Sequence, residues 1–86
     1  MNLLMALTQN AARQARQTNG VCDVDKLRPG TVLVVRSGFG SSAPETVTLE
    51  GVEYEGKNGR TTIDYVDKDG DGRWAYADQI VRVITY

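Results

Sequence analysis

The chain contains no histidine. Histidine has the side chain whose ordinary pKa lies nearest neutrality, so the usual general base is missing. There is one cysteine, Cys22, which excludes an intrachain disulfide. With no histidine to activate it, Cys22 is expected to be a small buried residue rather than a nucleophile. Excess charge of one sign is also missing. Ten basic and eleven acidic residues leave a formal net charge of −1, which argues against a global attraction to nucleic acid or membrane. Long hydrophobic runs are absent. The opening run Met1-Asn2-Leu3-Leu4-Met5-Ala6-Leu7 lacks a basic leader and stops at Thr8, so it does not read as a signal peptide. No run approaches the roughly 20 apolar residues of a membrane span. These absences predict a soluble cytoplasmic protein that is not an enzyme.

What is present is ordinary for a folded domain. In 86 residues, 41% are hydrophobic and 24% charged, which separates the chain from disordered sequences. At that length one domain with a limited core is expected. Residues 2–18 read as a helix, with Leu3, Leu4, Leu7, Ala11 and Ala15 on one side. Asn19-Gly20 stops it. That stripe packs on the domain or, in the other reading, pairs two copies as a homodimer. Residues 21–30 form a connector ending in the turn Leu27-Arg28-Pro29-Gly30.

Short strands follow. Residues 31–36 are β-branched and continuous, as a buried strand should be. Residues 37–44 form a loop rich in glycine and serine, flexible by composition, around Phe39. Thr46-Val47-Thr48-Leu49 alternates, and after Gly51 the pattern resumes out of phase at Val52 and Tyr54, which predicts a bulge or a sharp corner. Asn58-Gly59 marks a type I′ hairpin. Residues 61–66, 73–76 and 81–86 complete five strands, with one helical turn near 77–80.

Two sets of residues carry candidate chemistry. In the segment Asp67 to Asp78, aspartates fall at positions 1, 3, 5 and 12 of a twelve-residue loop, with Gly72 at position 6. That is the acidic skeleton of an EF-hand-type calcium loop. Asp67, Asp69, Asp71 and Asp78 would offer carboxylates and Arg73 its backbone carbonyl to Ca2+. The same residue types also build a plain solvated turn, and Asp78 is equally placed to cap the following helical turn. The second set is Phe39, Trp74 and Tyr76, aromatic residues of which one or more would be exposed to bind a partner, with core filling the competing use.

A helix followed by five short strands, with one helical turn before the last, resembles the SH3-like barrel over residues 27–86. That resemblance implies a mainly β fold: a small five-stranded antiparallel barrel over residues 31–86, preceded by an N-terminal α-helix over residues 1–20. An OB-fold is the alternative. Pro29-Gly30-Thr31-Val32-Leu33-Val34 followed by Ser37-Gly38 resembles the opening of a KOW-type element, with a departure at Ala43-Pro44-Glu45, and implies a nucleic-acid module. The stretch from Val35 to Gly40 and the ending from Gly72 to Ile80 are similar to small uncharacterised bacteriophage and prophage proteins. That likeness implies an adaptor that acts through a protein partner. Calcium binding and nucleic-acid binding are the alternatives.

Overall fold

The computed structural model describes Thr18 and residues 20–86. The helix expected over residues 2–18 lies, but for Thr18, outside them. Five antiparallel strands are present: β1 (Val32–Arg36), β2 (Pro44–Lys57), β3 (Arg60–Val66), β4 (Gly72–Tyr76) and β5 (Ile80–Thr85). All five agree with the sequence pattern to within a few residues. The Pro29-Gly30 turn forms with Gly30 at φ 95°, and Thr31 donates its amide to Arg28. Thr31 also accepts the Leu49 amide at 2.8 Å, so pairing begins one residue ahead of β1.

β2 is the shared element. Residues 44–48 pair with β1, and residues 48–57 pair with β3. The change of partner coincides with a register shift between Leu49 and Gly51, the predicted bulge. A bulge bends and twists its strand, which turns the second half of the sheet relative to the first. One core cluster therefore collects Leu33 and Val35 from β1, Val47 and Leu49 from β2, Ile63 and Tyr65 from β3, Ala75 from β4 and Ile80 from β5. Leu27 closes one side, and the half-buried Cys22 packs against the cluster. Removing a buried leucine such as Leu49 from a core this small costs about 2–5 kcal/mol.

The sheet order is β4-β3-β2-β1-β5, and this corrects the expected fold class. β4 and β5 stand at opposite edges, so the sheet is not closed into a barrel. No α-helix occurs among the described residues. The reason lies in the 3-10 turn Ala77–Gln79 between the two strands. It carries the chain from the β3 side of the sheet to the β1 side. Gln79 fixes the crossing. Its Oε1 accepts the buried Tyr76 amide at 2.8 Å, and its Nε2 donates to the Arg36 carbonyl at 2.7 Å. Gln79 thus does the capping work considered above for Asp78. β5 then pairs with β1, with two register shifts on the way. Strand count and spacing predict the ladders but not whether the last one forms. No helix among the described residues is long and apolar enough to cross a membrane.

Candidate functional site

Residues 37–43, which join β1 to β2, are tied together rather than loose. Ser37 accepts the amides of Gly40 and Ser42, Ser41 Oγ donates to Gly38 at 2.6 Å, and Arg36 donates to the Ser42 carbonyl. Three successive residues, Gly38, Phe39 and Gly40, have positive φ values of 59°, 57° and 91°. Glycine takes that conformation freely, whereas phenylalanine pays about 1 kcal/mol for the crowding of its Cβ. The side chain so placed is 77% exposed.

Phe39 does not stand alone. Tyr76 and Trp74 are two residues apart on β4 and so share one face of the strand. Their rings meet edge-on at 5.3 Å between centroids. Phe39 reaches both, at 6.2 Å from Trp74 and 6.1 Å from Tyr76. These separations lie in the attractive range for aromatic pairs. Trp74 is 38% exposed, while Tyr76 is buried beneath the other two rings and the hairpin. The three residues singled out from the sequence therefore form one cluster.

Sequence reasoning missed the frame around them. The β2–β3 hairpin tip, with Asn58 at φ 54° and Gly59 at φ 69°, leans over the cluster. Lys57 Nζ lies 4.8 Å from the Trp74 ring centre, and the Arg60 guanidinium lies 3.7 Å from that of Tyr76. Asn58 Nδ2 donates to the Tyr76 hydroxyl at 2.6 Å. Arg60 is also ion-paired with Asp78 at 2.5 Å. The signal for this was the register. Thr62 faces Tyr76 across the β3–β4 ladder, so the residues just before Thr62 must sit beside Tyr76.

The acidic loop has its own geometry. Asp67, Asp69 and Asp71 can bring one carboxylate oxygen each to within 4.8 Å of one another. Asp67 Oδ1 accepts the amides of Asp69 at 2.9 Å and Asp71 at 3.0 Å. Asp67 Oδ2 faces the Arg73 guanidinium at 3.8 Å, and Glu45 faces the same cation at 3.7 Å. Gly70, at φ 82°, supplies the sharp bend. Arg73 lies within β4, and Asp78 lies in the 3-10 turn with Arg60, on the aromatic side. Asp69 and Asp71 are exposed. Beneath Arg73, the Tyr65 hydroxyl and Glu45 Oε1 are buried with no hydrogen-bond partner among the described residues. Burial pushes the Tyr65 phenol up, against the lowering effect of Arg73.

No protein family, curated protein or solved structure matches this chain.

Proposed function

We propose that this protein is a small non-enzymatic binding module that docks another protein on the Phe39–Trp74–Tyr76 surface. The observation that carries the reading is Phe39. It holds an unfavourable backbone conformation and leaves most of a large apolar ring in water, beyond what its contacts with Trp74 and Tyr76 cover. Residues in sparsely populated backbone regions concentrate where a surface has work to do. Aromatic residues beside cations are also the usual anchors of protein interfaces. An accessory adaptor role, of the kind the likeness to small phage proteins implies, fits such a surface.

A photo-crosslinking residue at position 39 tests this. The expected result is a discrete adduct with one protein in cells, abolished when Trp74→Ala removes the neighbouring ring. Adducts no stronger than those from a control at Arg82, on the opposite edge strand, would overturn the reading. Adducts to nucleic acid alone would replace it with the nucleic-acid alternative.

The three-carboxylate loop supports calcium as a second ligand of the same module. Asp69 and Asp71 are exposed, and Asp67 is pre-oriented by two amides. Binding at ten times Kd would add about 1.4 kcal/mol to stability. Thermal melting in millimolar calcium should show a rise that Asp71→Asn removes, and an unmoved transition ends this reading.

A further inference from the structure

Asp67 belongs to two groups of polar residues. On one side are Asp69 and Asp71, whose amides its Oδ1 accepts. On the other are Arg73, Glu45 and Tyr65. The register gathers these three on the core side of the sheet. Glu45 stands opposite Val35 on β1, and Arg73 stands opposite Tyr65 on β3. Val35 and Tyr65 both belong to the core cluster.

This inner group is charged but not bonded. The Arg73 guanidinium is 3.8 Å from Asp67 Oδ2 and 3.7 Å from Glu45 Oε1, beyond hydrogen-bond length for either. Among the described residues, Glu45 Oε1 and the Tyr65 hydroxyl make no hydrogen bond, although both atoms are buried. Tyr65 is 0% exposed, and the Asp67 side chain is 8% exposed. The charges of Arg73, Glu45 and Asp67 all act on the Tyr65 phenol, which places its hydroxyl among them. Buried polar atoms are nearly always hydrogen-bonded, so two unpartnered oxygens at one spot mark a place where a ligand can bond.

The donor set says which ligand. It consists of oxygens: the carboxylates of Asp67, Asp69, Asp71 and Glu45, and the Tyr65 hydroxyl. Four carboxylates outnumber the two cations of this region, Arg73 and Lys68. Calcium takes six to eight hard oxygens and keeps water among them, whose protons Glu45 and Tyr65 can accept. The Arg73 side chain is 44% exposed and is free to swing outward.

We propose that the calcium site of the acidic loop extends inward, with Glu45 as its fourth carboxylate and Arg73 as the resident cation that calcium displaces. The proposal rests on the calcium reading above and deepens it. Asp78, the closing carboxylate of the twelve-residue pattern, is engaged by Arg60, and Glu45 from a different strand takes its place.

The test is a calcium titration of the full chain followed by NMR. In the wild type, calcium should shift the Glu45 carboxyl and Arg73 Nε–H resonances together with the amides of residues 67–71. Glu45→Gln keeps the shape and removes the charge. It should weaken calcium binding by roughly 10- to 100-fold. Arg73→Gln should tighten binding, since no resident cation is left to displace. Glu53→Gln, beyond the bulge and opposite Thr62, should change nothing. Amide spectra without calcium show that each variant is folded, and Arg73→Gln judges the proposal by itself if Glu45→Gln is not. Affinity unmoved by Glu45→Gln, or weakened by Arg73→Gln, would overturn the inner site. Calcium binding still lost in Asp71→Asn would then confine the ion to the outer loop. A wild type that does not respond to calcium ends both readings.

Discussion

Phe39 and Tyr54 show what single residues contribute to this protein. At position 39 the backbone favours glycine and the surface favours phenylalanine. Phe39→Gly relieves the backbone crowding but gives up the ring contacts with Trp74 and Tyr76 and loosens the unfolded chain, so the terms offset and stability should change by less than about 1 kcal/mol. Thermal melting checks this, and the same variant should lose the crosslinked partner. A clear loss of stability would mean the ring serves the fold instead. Tyr54 donates a hydrogen bond to Asp25 in the segment before β1. That bond, followed by burial and the charges of Asp25 and Asp23, raises the phenol from 10.0 to about 12. A raised folded-state value means that the contribution is whole below pH 10 and is lost as pH climbs toward 12. Ultraviolet titration should show late-ionising tyrosines at positions 54 and 65, of which Tyr54→Phe removes one, and the wild-type advantage over that variant should shrink across the same interval. The aromatic trio was legible in the sequence because so few aromatics exist to choose among. The Tyr54–Asp25 bond was not, because it joins residues 29 apart.

Among the elements, β2 shows where reading the pattern succeeds and where it stops. The change of phase at Gly51 predicted the bulge correctly. Yet a Cβ at Gly51 would meet nothing within 4 Å, so the bulge does not depend on that glycine. Gly56 drew no notice in the sequence, and here the constraint is severe. A Cβ there would lie 2.0 Å from Thr62 Oγ1 and 3.1 Å from Thr62 Cβ, on the facing strand. Thr62 is itself buried and cannot swing clear cheaply. Gly56→Ala should cost about 1–3 kcal/mol through overpacking, whereas Gly51→Ala should stay within about 1 kcal/mol. Urea unfolding of the two variants side by side measures the contrast. Periodicity locates a bulge, but only the cross-strand register reveals which glycine lies under a neighbour. The acidic loop divides similarly. Its aspartates were visible in order, whereas the preference of Asp67 for two amides and of Asp78 for Arg60 follows from distances that spacing does not contain.

For the whole molecule, the order of strands was nearly readable and the closure was not. Local turns dictate that each strand from β1 to β4 lies beside the next. Whether β4 also meets β5 depends on where the Ala77–Gln79 turn sends the chain, and that is settled by the contact of Gln79 with the distant Arg36 carbonyl. An open sheet leaves one row of amides on each edge strand facing solvent. Hydrogen exchange should then be slowest in β1, β2 and β3 and fast at alternate positions of β4 and β5. Uniform protection along both edge strands would show that they pair in solution.

The β1–β5 ladder has a mechanical consequence. It is antiparallel, with Val32 opposite Thr85, so the chain runs into β1 and out of β5 at the same end of the ladder. A force that pulls those two points apart loads the hydrogen bonds one after another, as a zipper, and never all together in shear. Held between two larger bodies, this protein would peel open from β5 at low tension. Spliced into a surface loop of a host protein, it would barely spread the points of attachment.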